Sequence, residues 1–176
     1  MGRKPSIDRN RLLEAAEQLI AERGAAALSF DAVAKAAGVS KGGVQSAFGS
    51  KEALLTALYR HLDSGYDERF QLARAAGASP VDAYIGASLQ ADDAVKQRVT
   101  ALSVAMTQEA ESRASMGKWY AENFPALTAS TPEGRQEILR LCALEGAMIL
   151  RSMHLLPLDD QAWAAVLADL APPHSD

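Results

Sequence analysis

Leu12, Leu13, Ala16, Leu19 and Ile20 recur at i, i+1, i+4, i+7 and i+8, a single apolar stripe along an amphipathic helix. Glu14, Glu17, Gln18 and Arg23 fall on the other face, and Gly24 ends the segment where a residue able to enter the left-handed region is needed. The pattern predicts a first helix over roughly residues 8–23. Ser29 caps a second, short helix with Asp31 in its first turn, favoured there by the helix dipole. Its inner face is Phe30, Val33, Ala34 and Ala37, and Gly38 stops it. Ser40 caps a third helix with Val44 and Phe48 inside, and Gly49 ends that one. Ser50 opens a fourth, expected to run unbroken over 51–75 with Leu54, Leu55, Leu58, Leu62, Tyr66 and Phe70 along one side. Gly77, Ser79 and Pro80 close the segment.

Five further helices are expected at roughly 80–90, 92–111, 113–128, 132–154 and 159–170, about nine in all. Thr131-Pro132-Glu133 is a clear start signal: cap, proline in the first turn, then acid. The run Leu155-Leu156-Pro157-Leu158-Asp159 separates the last two helices. Trp163, Val166, Leu167 and Leu170 stripe the final one, and the tail from Ala171 is expected to fray. No alternating strand pattern, internal repeat or low-complexity segment is visible. The fold class is therefore all-α. A three-helix helix-turn-helix domain (residues 1–55, motif 29–49) is joined by the long helix to a helical domain over 56–176.

The segment SFDAVAKAAGVSKGGVQSAFG, Ser29 to Gly49, places two short helices around Gly38-Val39-Ser40. Alanines at 34, 36 and 37 let the helices cross closely, Gly38 permits the tight turn, and Val39 plugs the angle. The second of the two helices carries nothing bulky outside: Lys41, Gly42, Gly43, Gln45, Ser46 and Ala47. A thin polar face backed by one apolar stripe suits a helix that enters the DNA major groove, though the same geometry also serves an ordinary helix pair in a bundle.

Charge distribution favours the first reading. The chain has a formal net charge of −4. Residues 1–60 nevertheless hold nine Lys/Arg against six Asp/Glu, a net of +3, and residues 61–176 hold nine against sixteen, a net of −7. Phosphates sense the local basic face within a Debye length, not the global balance. The single cysteine, Cys142, excludes an intramolecular disulfide and argues against a cysteine metal site, and His61 and His154 lack metal-ligand spacing. No metal or cofactor is expected. No run approaches the ~20 apolar residues of a membrane span. Met1-Gly2-Arg3-Lys4-Pro5 has no apolar stretch behind it, so no secretion signal is read, and the basic residues and proline argue against lipidation at Gly2. A cytoplasmic protein without a membrane partner is expected. Paired acids with a nucleophile, a phosphate loop, HExxH and Gly-x-Ser-x-Gly are all missing, so an enzyme is not expected.

A more specific resemblance covers residues 7–60. Ala15-Ala16, Gly24, Ser29-Phe30, Val33-Ala34, Ala37-Gly38-Val39-Ser40-Lys41-Gly42, Phe48 and Ser50-Lys51-Glu52-Ala53-Leu54-Leu55 together resemble the TetR family of bacterial regulators. Beyond residue 60 the likeness rests on helix count and on Leu144-Glu145-Gly146-Ala147 through Leu155-Leu156-Pro157-Leu158. The chain departs from the family at Gln45, where an aromatic that contacts a backbone phosphate is usual, and at Ser46 and Ala47, often His or Tyr in the family. Gln45 can instead read a base edge, since its amide pairs bidentately with adenine.

The resemblance implies a sequence-specific regulator of double-stranded DNA, a repressor released by a small apolar effector, acting as a homodimer on a palindromic operator. Lys41 and Lys51 are expected at phosphates, Lys51 aided by the backbone amides that open the fourth helix. Ser29 and Ser40 cap the two motif helices, Ser40 within reach of a phosphate. Gly42 and Gly43 allow close backbone approach, and Gln45 and Ser46 are the base-reading candidates. Arg3, Lys4 and Arg9 form either a minor-groove arm or a solvated tail. The long fourth helix is expected to couple the two domains.

For the effector pocket the candidates are Leu102, Met106, Met116, Trp119, Tyr120 and Phe124, with Glu145 interrupting an apolar run. If buried, Glu145 needs a partner such as Arg151, His154 or a cationic ligand; facing a dimer seam or water is the alternative. For the dimer interface the candidates are Ile138, Cys142, Ile149 and Met153, completed by Trp163, Val166, Leu167 and Leu170, unless these residues only fill the subunit core. A DNA-binding activator, or a regulator sensing a protein partner, remains open as an alternative.

Overall fold

The computed structural model describes residues 8–171, so Gly2, Arg3, Lys4 and the tail beyond Ala171 lie outside the described residues. Within that span the chain forms α1 (Arg9–Arg23), α2 (Phe30–Ala37), α3 (Lys41–Phe48), α4 (Lys51–Leu62), α5 (Tyr66–Ala75), α6 (Pro80–Leu89), α7 (Asp93–Met106), α8 (Ala110–Asn123), α9 (Pro132–Ser152) and α10 (Asp160–Ala168). A 3₁₀ turn, Ala25–Ala27, links α1 to α2, and no strand occurs among the described residues. The helices divide into two compact units.

The first unit is Met1–Leu62 together with Ala101–Arg113. Its buried residues follow the apolar stripes: Leu12, Ala16, Leu19 and Ile20 on α1, Val33 and Ala34 on α2, Val44 and Phe48 on α3, Leu54, Leu55 and Leu58 on α4. Leu102 and Met106 of α7 are buried in the same unit. The second unit is Asp63–Thr100 together with Ala114–Asp176. Val81, Ile85, Phe124, Leu144 and Leu167 form one core cluster in it, and Phe70, Ala83 and Ala87 another. Tyr84 of α6 packs against both clusters.

Two expected helices are broken elsewhere. The fourth is not continuous over 51–75: α4 ends at Leu62 and α5 begins at Tyr66. Asp63, Ser64 and Gly65 are weak helix formers. Asp63 is also drawn out of helical register by Arg69, whose Nη2 lies 2.8 and 2.6 Å from its two carboxylate oxygens while its Nε donates to the Ala87 carbonyl at 3.0 Å. The stretch expected as one helix over 92–111 stops at Met106. Thr107 turns its hydroxyl onto the Val104 carbonyl, 2.7 Å away, and α8 restarts at Ala110. α7 and α8 each place residues in both units, so they, rather than one long fourth helix, supply continuous helical links between them.

Arginines fasten the second unit. Arg151, nearly sealed from solvent, donates to Asp93 at 2.8 Å and to Asp160 at 3.1 Å, tying α9 to the starts of α7 and α10. Hydrogen bonds from Arg151 and then Lys96 hold the Asp93 carboxyl down to about 2. Arg140 reaches Asp82 at 2.7 Å and Glu137 at 3.2 Å. At the end of α9, His154 takes a positive φ of 52° and Leu155 N–H closes onto the Leu150 carbonyl at 3.0 Å.

Candidate functional site

The two motif helices are set by their caps. Ser29 Oγ accepts from Ala32 N–H at 3.2 Å to start α2. Gly38, with φ of 68°, ends α2 in the left-handed region, which a side chain would enter at a cost of about 1–2 kcal/mol. Val39 N–H then bonds back to the Ala34 carbonyl at 2.9 Å. Ser40 Oγ accepts from Gly43 N–H at 3.2 Å and starts α3. Val44 and Phe48 anchor α3 inward, and Lys41, Gly42, Gln45 and Ser46 are exposed, with Gly43 and Ala47 half-buried. A Cβ on Gly42 would meet nothing, so the outer face of α3 is open as well as thin. Ser50 Oγ accepts from Ala53 N–H at 3.1 Å to cap α4. A hydrogen bond with Ser50, joined by the backbone amide of Glu52, holds the Glu52 carboxyl below the usual carboxylate range.

Both lysines expected at phosphates are paired with carboxylates. Lys41 Nζ lies 2.8 Å from Asp31 Oδ2, and Lys51 Nζ lies 2.8 Å from Glu109 Oε1. Arg9 is the first residue of α1, and its guanidinium sits 4.8 Å above the Phe48 ring. Arg3 and Lys4 lie outside the described residues.

The pocket candidates separate. Leu102 and Met106 are buried in the first unit, whereas Met116, Trp119, Tyr120, Phe124 and Glu145 lie in the second. Trp119, Tyr120 and Phe124 meet in one aromatic cluster, with Trp119–Tyr120 centroids 5.3 Å apart and Tyr120–Phe124 5.8 Å apart. The sequence reading missed three of its members, Tyr66, Phe70 and Tyr84. Tyr84 lies 5.7 Å from Phe124 and 5.8 Å from Trp119, and Tyr66 and Phe70 stack at 6.0 Å. Glu145 borders the cluster half-buried, accepting from the hydroxyls of Tyr84 and, at 2.8 Å, Tyr120. Its need for hydrogen-bond donors inside an apolar run was the one sequence signal that pointed toward tyrosines.

The dimer candidates also divide. Cys142, Met153 and Val166 are exposed, and Ile138, Ile149 and Leu170 are half-buried. Trp163 and Leu167 turn into the core of their own unit. Their spacing, i and i+4 on a nine-residue helix, puts them on the side of α10 opposite exposed Gln161 and Ala165. Among the described residues no three His, Cys, Asp or Glu side chains group as metal ligands, and no helix is long and apolar enough to cross a membrane.

Comparison with known proteins adds two family matches. Residues 12–58 match the model of bacterial regulatory proteins, tetR family, and residues 78–172 match the tetracyclin repressor-like C-terminal domain. No curated protein matches the chain. Among solved structures, a transcriptional regulator from Rhodococcus sp. Rha1 is 25% identical, with 92% of each chain covered and a TM-score of 0.65. The multidrug binding protein EbrR, complexed with imidazole, is 21% identical over 95% of this chain and 96% of its own, at a TM-score of 0.59. Thermus thermophilus FadR, a transcriptional repressor in complex with lauroyl-CoA, is 19% identical over 93% of this chain and 91% of its own, at 0.54. At these identities the last two likenesses speak to fold alone.

Proposed function

Given that the chain belongs to the tetR family of bacterial regulatory proteins, and so to DNA-binding transcriptional regulators, we propose that it is a dimeric cytoplasmic repressor released from its operator by a small effector. The observation that carries the DNA half is the outer face of α3. Lys41, Gly42, Gln45 and Ser46 stand clear of the unit while Val44 and Phe48 hold the helix from behind. Such a helix presents side chains to base edges with its backbone close to the groove. Gln45 and Ser46 read bases; Lys41 and Lys51 meet phosphates once released from their carboxylates; the backbone amides at the start of α4 add to the second contact.

The effector half rests on the aromatic cluster of the second unit and its half-buried carboxylate. Effector binding favours a spacing of the two reading heads that no longer fits the operator. The coupling runs along α8, which carries Trp119 and Tyr120 and begins one residue after Glu109, the partner of Lys51. The homodimer forms through the exposed side of α9 with Val166 of α10, and its two-fold axis matches a palindrome with half-sites about one DNA turn apart.

Sequencing the DNA that the protein selects from a random pool tests the first half: a palindrome with that spacing is expected, and unstructured or single half-sites would overturn the dimeric reading. A gel shift on the selected DNA against a broad ligand panel tests the second. A complex that no ligand dissociates favours a regulator sensing a protein partner, and reporter expression that rises with the protein marks an activator.

A further inference from the structure

We infer that the aromatic cluster beside Glu145 receives a lipophilic organic cation, a positively charged centre carried on an apolar body; this rests on the effector-released reading above and names the chemical class of the effector. Six of the chain's aromatic residues converge here, from α5, α6, α8 and the residue that follows α8, although the whole chain has only four Tyr, four Phe and two Trp. Their contacts are tilted or edge-on more often than stacked: Tyr84 meets Phe124 at 83° and Trp119 meets Tyr120 at 89°. Ring faces carry the negative part of the aromatic quadrupole, so the cluster attracts positive charge before any ionised group is counted.

Glu145 adds a full negative charge to the same place. The hydroxyls of Tyr84 and Tyr120 both donate to one of its oxygens, Oε1, and Oε2 accepts no hydrogen bond among the described residues. Two neutral donors orient the carboxylate without neutralising it. The basic groups nearest in sequence are committed elsewhere on α9. Arg140 is engaged by Asp82 and Glu137, and Arg151 by Asp93 and Asp160. His154 directs Nδ1 at the Arg151 carbonyl, 3.1 Å away. No Lys, Arg or His ion-pairs with Glu145 among the described residues. Of the partners the sequence suggested for this carboxylate, Arg151 and His154 are engaged elsewhere, and two tyrosine hydroxyls hold it instead.

A half-buried carboxylate flanked by apolar rings and lacking a counter-ion is costly, and a guest that supplies the positive charge recovers that cost while burying its own apolar surface. A neutral guest gains only the surface term, and an anion meets the carboxylate head-on. Ring centroids separated by 5.3 to 6.4 Å mean that the guest parts the rings rather than entering a ready hole. Met148, partly buried against the same core, has the flexible side chain to follow that movement.

The test compares two ions of one shape, tetraphenylphosphonium and tetraphenylborate, by equilibrium dialysis against the full-length protein. The cation is expected to bind at least about tenfold more tightly than the anion. Glu145→Gln is expected to erase that preference while leaving the circular dichroism spectrum and the affinity for pool-selected DNA unchanged. Equal binding of the two ions by the wild-type protein overturns the proposal without reference to any variant, as does a folded Glu145→Gln protein that keeps the cation preference. If tetraphenylphosphonium binds through Glu145 yet leaves the DNA complex intact, the effector-release reading fails and the cation site stands. If an anionic or neutral amphiphile dissociates the DNA complex and the cation does not bind, the release reading stands and the cation site fails.

Discussion

Lys51 Nζ and Glu109 Oε1 lie 2.8 Å apart, fifty-eight residues apart in sequence, so the lysine best placed at the head of α4 to meet a phosphate is already held by a carboxylate from the α7–α8 turn. In the DNA complex proposed above, phosphate would compete with Glu109 for this side chain. The pair is partly exposed, with Lys51 about half accessible, and such pairs hold by a few tenths to about 1 kcal/mol. Glu109→Gln is expected to raise affinity for any DNA sequence by up to about fivefold. Lys51→Ala is expected to weaken binding to all sequences and to lower the salt slope by about 1. Fluorescence anisotropy titrations over a range of salt concentrations measure both. Discrimination lost at a single base position in Lys51→Ala would mean that the lysine reads sequence instead.

Gln45 is exposed on α3 between the buried anchors Val44 and Phe48. A short amide there has reach for a base edge. Gln45→Ala is expected to reduce discrimination at one operator position by about 1–3 kcal/mol, with little change elsewhere. Binding to a set of single-base operator variants checks this, and a uniform loss across all positions would assign Gln45 to the backbone.

The head was legible in the sequence because every device that builds it is local. Caps at Ser29, Ser40 and Ser50, turns at Gly38 and Gly49, and the stripe Val33, Val44, Phe48, Leu54 all act within a few residues of one another. The break between α4 and α5 was not legible because Leu58, Leu62, Tyr66 and Phe70 keep the i, i+4 period straight through it. The weak helix formers Asp63, Ser64 and Gly65 sit inside that unbroken period, and the contact at the break, Arg69 holding Asp63 and the Ala87 carbonyl, is tertiary. The aromatic cluster was half legible for the same reason. Trp119, Tyr120 and Phe124 share one short stretch, but Tyr66, Phe70 and Tyr84 arrive from other helices and leave no trace in spacing. The dimer candidates rest on the family resemblance and on apolarity, and apolarity does not say which of two sides a side chain takes: Trp163 and Leu167 turn inward and Val166 outward.

Asp93 and Arg151 give the second unit a defined pH response. The Asp93 carboxyl is held down to about 2 in the fold, against an ordinary value of 3.8. A depressed carboxylate stabilises the fold when ionised, so its contribution is fully present above about pH 5 and fades as pH falls from 4 toward 2. Since Asp93 is more than half exposed, solvent screening limits the effect to about 1 kcal/mol. Asp93→Asn is expected to melt several degrees below the wild type at pH 7, with the gap closing as the pH approaches 3. Thermal melts at four or five pH values measure it, and a gap that widened on acidification would contradict the ion pair.

Along α9, Leu139, Cys142, Ala143, Gly146, Leu150 and Met153 follow one another at spacings of three or four residues with one adjacent pair, which is one face of a helix. Leu139, Cys142, Ala143 and Met153 are exposed, Leu139 and Met153 by 60% and 55%. Val166 of α10 adds a further exposed apolar side chain. Small residues at 142, 143 and 146 leave room for a second helix to approach, with longer side chains on either side. In the dimer proposed above, a second copy of α9 would meet this face with the same pattern under two-fold symmetry. Leu139→Glu places two like charges beside each other in such a dimer and disturbs little in the subunit, where the leucine is mostly in water. It is expected to sediment as a monomer at micromolar concentration with unchanged helix content. Its affinity for DNA with two half-sites should then fall toward that for one half-site. A variant that remains dimeric and keeps full affinity would move the interface off this face of α9.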